Sequence, residues 1–260
     1  MLKKKITISD IQAQKLSKNK FTMITVYDFP MASIVERSAI EMILVGDSLG
    51  KVIQGHENTI SVSIEDIIYH LKIVRKGAPN TFIVGDMPFL SYEVDTKDAI
   101  RNAGILIKNG ADCVKIEGGI NIAHTIRAVV NAGIPVMAHI NFQALKTIMP
   151  NINDIIQEAK VLEEAGAFAV VLQFLSSKLA ASIDQALRIP TIGFGAGPHT
   201  SGQNLNAYGM LGILDEPVKN FVKQYSCLGE EILKTFNKWH YETQQGIFPA
   251  SEHFFEMEKD

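Results

Sequence analysis

The feature that most constrains this sequence is a repeated unit in which a helical pattern ends at a glycine and a short apolar run follows. In one example, Ser63 and Asp66 are spaced as in a capping box, and apolar residues then recur on one helical face. Gly77 ends this helical pattern, and residues 81–86 follow as a short buried strand that finishes in an acid. The chain is therefore predicted to alternate helices with buried strands.

The same unit predicts seven strands and a weaker eighth. They span residues 21–26, 42–45, 81–86, 113–117, 134–139, 168–173, 191–195 and, for the eighth, about 210–214. Continuous apolar strands that alternate with helices indicate a parallel sheet covered on both faces. Eight such strands close a (β/α)8 TIM barrel, although an open doubly wound sheet gives a similar pattern. No linker interrupts the series, so residues 1–260 are predicted to form one barrel domain, with a helical C-terminal extension from Val218 to about Gln245.

Composition argues against several classes of protein. The net charge is −3 and the basic residues are scattered, which disfavours a nucleic-acid-binding surface. No run reaches the roughly 18 apolar residues of a membrane span, and the N-terminus shows no signal peptide. Cys113 and Cys227 cannot form a disulfide framework, and Cys113 lies in an apolar run. A reducing cytoplasm is the expected location.

Polar residues stand where several predicted strands end, and in a barrel these ends converge on one mouth. These residues are Tyr27, Asp28, Asp47, Ser48, Asp86, Lys115, Glu117, His139 and Gln173. Asp47 and Asp86 offer two hard oxygen ligands from neighbouring strands, the kind that Mg²⁺ prefers. The alternative for each aspartate is a structural role in a turn or a helix cap.

Lys115 and Glu117 are two residues apart on a strand, so both side chains point the same way. They could form a structural ion pair inside the barrel. Beside two aspartates, they could instead contact a substrate and a metal, because a cationic lysine can neutralise a developing enolate. His139 could orient a substrate oxygen or be a capped core histidine, and both alternatives stay open.

In combination, the strand-end motifs resemble those of the ketopantoate hydroxymethyltransferase family. The segments that carry the resemblance are 25–28 (TVYD), 45–50 (VGDSLG), 54–56 (QGH), 75–80 (RKGAPN), 85–89 (GDMPF), 114–119 (VKIEGG), 192–197 (IGFGAG), 246–249 (GIFP) and 252–253 (EH). The resemblance covers nearly the whole chain.

The resemblance implies a barrel of the phosphoenolpyruvate/pyruvate superfamily that assembles as a large homo-oligomer. It implies transfer of a hydroxymethyl group from 5,10-methylenetetrahydrofolate to 3-methyl-2-oxobutanoate through a Mg²⁺-stabilised enolate, an early step of pantothenate synthesis. Asp47, Asp86 and Glu117 would then bind Mg²⁺. The 2-oxo acid would contact Asp86, Ser48, Lys115 and His139. Chelation by the metal would lower the barrier to removal of the C3 proton.

Three segments depart from the family pattern. Where the family places a glutamate as general base, at the end of the sixth strand, this chain has Gln173, which has no usable proton affinity near neutral pH. His139 and metal-bound hydroxide are the candidates to replace it. After His139 the segment 140–154 lacks the family's Gly-Leu-Thr-Pro-Gln and glycine-rich loop, and residues 204–208 (NLNAY) replace an apolar run that ends in His-Asp.

Three hypotheses follow from this pattern. The first is the hydroxymethyltransferase reaction with an alternative base and reduced activity. The second is a related metal-dependent lyase or aldolase that acts on a 2-oxo acid. The third is a catalytically impaired homologue that binds a ligand without turning it over, because position 173 holds an amide.

Overall fold

The computed structural model describes residues 3–142, 152–214 and 220–255. The chain divides into two compact units, Met1–Ala207 and Tyr208–Asp260. The first unit is a closed barrel of eight parallel strands in the order β1 to β8, with β8 paired to β1. The strands are β1 Phe21–Thr25, β2 Met42–Val45, β3 Phe82–Asp86, β4 Cys113–Glu117, β5 Val136–Asn141, β6 Ala169–Gln173, β7 Thr191–Phe194 and β8 Gly202–Asn206.

Helices follow most of these strands in the chain. Within the first unit they are α1 Ile8–Leu16, α2 Phe29–Glu36, α3 Leu49–Val52, α4 Ile64–Gly77, α5 Thr96–Lys108, α6 Ala123–Asn131, α7 Ile152–Glu164 and α8 Ser177–Ala186, with a 3-10 turn at Ile120–Ile122. Alternation of helix and strand around a closed parallel sheet is the TIM barrel, so the fold predicted from the repeated unit is confirmed and the open sheet is excluded.

Helix α4 shows how local sequence determines an element. The Ser63 hydroxyl accepts from the backbone N–H of Asp66, and the Asp66 carboxylate accepts from the N–H of Ser63, which completes the predicted capping box. The helix ends at Gly77, where a Cβ atom would lie 2.7 Å from the carbonyl oxygen of Phe29. Only glycine allows this close approach of α4 to α2.

The barrel interior is apolar in its lower layers. The inward side chains include Met23, Met42, Leu44, Phe82, Val84, Cys113, Met137, Ala169, Val171 and Ile192, all buried. Cys113 is a free, buried thiol within this cluster, as its apolar setting predicted, whereas Cys227 is free and exposed. Because side chains alternate along a strand, the next inward positions lie at the C-terminal end of the barrel, and these positions carry the polar residues.

Two details of the sequence prediction are wrong. The eighth strand is Gly202–Asn206 rather than residues 210–214, because a polar segment completes the barrel and the apolar run near Met210 belongs to the second unit. The second is the cap of helix α5, for which the sequence predicts Thr96. Asp95 caps it instead, since its carboxylate accepts from the N–H of Lys97, and Thr96 is the first residue of the helix.

The second unit contains a short helix, α9 Ala207–Met210, which begins at the boundary, and a long helix, α10 Leu228–Gln244. Residues 220–227 are not helical, so the described part of the predicted tail helix is shorter than the pattern indicated. No residue of α10 is buried, and Ile232, Leu233, Phe236 and Trp239 are exposed on it. Among the described residues, no helix has the length and apolar character needed to cross a bilayer.

Candidate active site

The polar layer at the C-terminal end of the barrel comes from neighbouring strands. Two residues beyond the apolar cluster, β3 contributes Asp86, β4 Lys115, β5 His139 and β6 Gln173. Four residues beyond it, β4 contributes Glu117 and β5 contributes Asn141. Parallel pairing aligns Asp86 with Lys115 and Glu117 with His139. The alternation of side chains therefore brings together residues that lie far apart in the sequence.

Asp86 and Lys115 form a buried ion pair at the centre of this layer. The Lys115 ammonium lies 2.8 Å from Oδ1 of Asp86, and Oδ2 accepts the backbone N–H of Asp47 at 2.9 Å. Burial raises the pKa of Asp86 to about 7, and the Asp47 carboxylate adds to this effect, although the Lys115 charge opposes it. Burial alone would lower the pKa of Lys115, but the carboxylates of Asp86, Glu117 and Asp47 outweigh burial and raise it. Lys115 is therefore a charged donor inside the barrel.

Glu117 and His139 form a second pair on the next two strands. Nδ1 of His139 lies 2.9 Å from Oε2 of Glu117 and 3.1 Å from the Lys115 ammonium. The Asn141 amide donates to Oε1 of Glu117 at 3.1 Å. Burial would raise the pKa of Glu117, but His139, together with Lys115 and Asn141, holds it at about 2. Nε2 of His139 is buried and has no hydrogen-bond partner among the described residues.

Ser48 lies beside this cluster. It bonds to Tyr27, which follows β1, and Tyr27 in turn bonds to Asn206 of β8. The Oγ of Ser48 is 2.7 Å from the hydroxyl of Tyr27, and the amide of Asn206 donates to the same hydroxyl at 2.6 Å. A Cβ atom at Gly46 would lie 3.0 Å from the Ser48 hydroxyl and 3.6 Å from Oδ2 of Asp86. The glycine therefore leaves room for the serine hydroxyl close to the aspartate carboxylate.

Gln173 ends β6 in register with Asn141 on one side and Phe194 on the other. Since Asn141 binds Glu117, position 173 borders the same cluster. The next residue, Phe174, has a φ of +59°, a left-handed conformation that non-glycine residues rarely adopt. Such backbone outliers concentrate at functional sites.

The structure brings four of the predicted residues, Asp86, Lys115, Glu117 and His139, into direct contact. In the described part of the chain, no three His, Cys, Asp or Glu side chains form a ready metal cluster, because Lys115 and His139 hold the carboxylates of Asp86 and Glu117. The sequence prediction gave no role to four residues that contact the site. These are Tyr27, Tyr92, whose hydroxyl donates to the carbonyl of Glu117 at 2.8 Å, Asn141 and Asn206.

Comparison with known proteins identifies the family. The sequence model described as ketopantoate hydroxymethyltransferase matches residues 5–251. The chain belongs to this family. A 3-methyl-2-oxobutanoate hydroxymethyltransferase of Heliobacterium modesticaldum is 44% identical, with 99% of this chain and 98% of the relative covered. The protein of the same name from Staphylothermus marinus is 40% identical, with 97% and 96% covered. A member of this family is an enzyme, as the motifs predicted.

Solved structures agree on the fold. Phosphonopyruvate hydrolase in complex with oxalate and Mg²⁺ has a TM-score of 0.66 at 10% identity, with 95% of this chain and 93% of that chain covered. A 2,3-dimethylmalate lyase of the PEP mutase/isocitrate lyase superfamily has a TM-score of 0.64 at 14% identity, with 95% and 91% covered. At these identities the likeness concerns the barrel alone.

Two of the three segments in which the resemblance implies a departure from the family pattern lie wholly within the described residues. Gln173 stands at the end of β6, beside the charged cluster. Residues 204–206 of the polar segment form the end of β8 and reach β1 through their side chains, since Thr25 donates to Asn204 and Asn206 donates to Tyr27. In the segment after His139, residues 143–151 lie outside the described residues.

Proposed function

We propose that this chain transfers a hydroxymethyl group from 5,10-methylenetetrahydrofolate to 3-methyl-2-oxobutanoate, giving 2-dehydropantoate. The observation that carries the proposal is the chain of contacts from Asp86 through Lys115 and His139 to Glu117, in a barrel whose relatives bear this activity in their names. The reaction must remove a proton from C3 of the 2-oxo acid and stabilise negative charge on its oxygens. The cluster offers a buried cation and an imidazole for these two tasks.

Lys115 and Ser48 would bind the acidic substrate. The Lys115 ammonium is buried and charged, so it can pair with the substrate carboxylate or with the charge that develops on the keto oxygen. The Ser48 hydroxyl lies on the Asp86 side of the same space and can donate to an oxygen of the substrate. Burial of Lys115 strengthens its interaction with the substrate charge.

The residues present fit a divalent cation in their chemistry. Asp47, Asp86 and Glu117 supply carboxylate oxygens, the ligands that Mg²⁺ prefers. The raised pKa of Asp86 reflects burial and a second nearby carboxylate, so a cation here would relieve an excess of negative charge. We propose that these three residues hold Mg²⁺, which when bound supplies positive charge to the substrate oxygens.

We propose His139 as the group that accepts the C3 proton, because Gln173 cannot. Glu117 is ionised and can only accept, so Nδ1 of His139 is assigned as the donor to it. This assignment leaves the lone pair on Nε2, which is buried and has no partner in the described part of the chain. A carboxylate that binds one imidazole nitrogen and leaves the other basic is a familiar arrangement for proton transfer.

The test follows loss of the C3 proton of 3-methyl-2-oxobutanoate by NMR in D₂O with Mg²⁺, with and without the folate. Exchange together with 2-dehydropantoate formation supports the proposal. Exchange without that product points to a lyase or aldolase, and ligand binding without exchange points to the impaired homologue that Gln173 suggests. His139→Asn should slow exchange about 10²–10⁴-fold, whereas His124→Asn, on the exposed side of α6, should not. Equal rates for these two variants would remove His139 as the base.

Gln173→Glu tests separately whether the amide at position 173 limits the reaction. If the amide limits proton removal, this substitution should raise the exchange rate, because a carboxylate at the end of β6 borders the same cluster. An unchanged rate would count against this account of position 173.

We also propose that the chain forms a homo-oligomer. Helix α10 has no buried residue, and it exposes Ile232, Leu233, Phe236 and Trp239. Exposed apolar residues in such a group mark a surface that binds another protein. Sedimentation of the wild type and of Phe236→Glu should separate an assembly from a smaller species, and identical mass for both at the size of one chain would refute the proposal.

A further inference from the structure

We propose that Asn206 and Tyr27 are positioning residues that orient the Ser48 hydroxyl as a hydrogen-bond donor to an oxygen of the 2-oxo acid. The inference rests on the proposed function, since it takes a 2-oxo acid as the ligand of Ser48. It adds a hydrogen-bond relay of three side chains, Asn206 of β8, Tyr27 and Ser48, that ends at the site.

Tyr27 is fixed at both its backbone and its side chain. It is fully buried, and its carbonyl oxygen accepts from Nδ1 of His70 on α4 at 2.7 Å. Its hydroxyl lies between the amide of Asn206 and the hydroxyl of Ser48, at 2.6 and 2.7 Å. A ring held in this way presents its hydroxyl to Ser48 in one orientation.

The chemistry of the three groups fixes the direction of the first hydrogen bond and guides the assignment of the second. The amide nitrogen of Asn206 can only donate, so the Tyr27 oxygen accepts from it. Burial raises the pKa of Tyr27 well above its usual value, and the nearby carboxylates of Asp47 and Asp86 add to this effect, so the phenol keeps its proton. We assign this proton to the bond with Ser48, whose own proton is then available to another acceptor. Each bond in such a chain strengthens the next.

Ser48 does not perform the usual task of a serine in its position. It stands at the N-cap of α3, where a serine hydroxyl normally accepts from a backbone N–H of the first turn, yet it makes no capping bond. Its backbone is helical, with φ −56° and ψ −11°, and its hydroxyl is directed to Tyr27. The Ser48 hydroxyl and the Asp86 carboxylate both flank Gly46, since a Cβ atom there would lie within 4 Å of each.

Asn206 belongs to the polar segment 204–208, where the resemblance to the family implies an apolar run. It is the last residue of β8 and pairs in register with Thr25 of β1, two residues before Tyr27. An apolar side chain at this position could not donate to the phenol. The relay is therefore tied to the sequence of this chain.

The first experiment measures binding of 3-methyl-2-oxobutanoate by calorimetry in the presence of Mg²⁺. Tyr27→Phe keeps the ring and removes the hydroxyl, so the dissociation constant should rise about tenfold, the loss expected for one hydrogen bond to a charged group. Tyr69→Phe removes an exposed tyrosine hydroxyl on α4 and should leave affinity unchanged. Equal affinities for Tyr27→Phe and the wild type would overturn the relay.

A double-mutant cycle separates the relay from a purely structural role. In a Ser48→Ala background, Tyr27→Phe should weaken binding no further, because its effect passes through the serine. The full tenfold loss in that background would show that Tyr27 acts on the site in another way and would overturn the proposal. Wild-type protein that binds no 2-oxo acid would refute the proposed function and this inference together, and this outcome is visible before any variant is made.

Asn206→Asp tests the direction of the relay. An ionised carboxylate only accepts, so the Tyr27 proton would turn toward position 206 and Ser48 would donate to Tyr27 instead of to the substrate. Affinity should fall by at least about tenfold. The same substitution in the Ser48→Ala background measures the effect of the added charge alone, and a loss as large there as in the wild-type background would refute the relay. This variant also serves if Tyr27→Phe does not fold.

Discussion

Carboxylates lie at both ends of the barrel, and their surroundings differ. At the N-terminal end, Asp184 accepts from the hydroxyls of Thr191 and Ser201 and from Lys15, and these bonds hold its pKa below its usual value although burial opposes them. At the C-terminal end, Asp86 accepts from one backbone N–H and one lysine, and burial raises its pKa to about 7.

Two further carboxylates at the N-terminal end also accept from several donors. Asp112 accepts from Arg75, from Lys5 and from the N–H of Ile83, and Glu36 accepts from Asn80 and Thr81. Donors at this end match the acceptors, as in a part of the barrel that serves stability. At the other end Glu117 is similarly paired, whereas Asp86 is buried beside the Asp47 carboxylate and Lys115 offsets this only in part, which is typical of a functional site.

The largest effect is expected when the buried pair is replaced as a unit. Asp86→Asn with Lys115→Met removes both charges, while the asparagine oxygen can still accept the N–H of Asp47. Proton exchange should fall at least about 10²–10³-fold. The free energy of unfolding should stay the same or rise by about 1–4 kcal/mol, because the desolvation of two charges is avoided. Urea unfolding checks stability, and a marked loss of it would place Asp86 with the structural carboxylates.

Magnesium should stabilise the wild-type protein by about 2.7 kcal/mol at a concentration one hundred times its Kd. Asp47→Asn removes one proposed ligand and should reduce this gain, whereas Asp98→Asn, on the exposed side of α5, should not. Thermal unfolding with and without EDTA gives the measurement. The same gain in Asp47→Asn as in the wild type would argue against Asp47 as a ligand.

Asp184→Ala should destabilise the protein by about 2 kcal/mol, because three donors lose their acceptor. Activity per folded molecule should stay unchanged, since Asp184 lies at the end of the barrel opposite the site. Lys178→Ala, on the exposed face of the same helix, is the matched control and should change stability by less than about 0.5 kcal/mol. A loss of turnover in folded Asp184→Ala would contradict the assignment of the N-terminal end to stability alone.

The smallest effect is a pH dependence from the same group. The folded pKa of Asp184 lies below its unfolded value, so the unfolded chain binds the proton more readily in acid. The stability that this group contributes is present above about pH 4 and is lost as pH falls through the folded pKa. Urea unfolding between pH 6 and pH 3 should show a shallower decline in Asp184→Asn than in the wild type. Identical declines would mean that other carboxylates carry the acid sensitivity.

The sequence predicted seven strands well because each is a continuous apolar run beside a helix. The eighth failed for a physical reason. The inward positions of β8 are Asn204 and Asn206, which bond to Thr25 and Tyr27 instead of packing as apolar side chains. Hydrophobic periodicity registers apolar burial and gives no signal for a strand whose inward side chains are satisfied by hydrogen bonds.

The candidate site also contains residues that the sequence predicted and contacts that it did not. The alternation of side chains along β4 predicts that Lys115 and Glu117 both point into the barrel. The pairing of neighbouring strands then places Asp86 beside Lys115 and His139 beside Glu117. The supporting contacts of Tyr92 and Asn141 depend on pairing register and loop geometry, which a single sequence does not specify. The sequence placed Tyr27 at the barrel mouth, where it continues the inward positions of β1 beyond Thr25, but gave it no role.

The two free cysteines allow the rate of barrel opening to be measured by thiol labelling. Cys227 is exposed and should react at once with a thiol reagent, whereas Cys113 lies among the inward side chains and burial raises the pKa of its thiol well above the usual value. Modification of Cys113 therefore requires separation of the strands around it. The slow phase of thiol labelling would report how often the barrel opens, without any engineered probe, and a ligand that binds at its mouth would slow that phase.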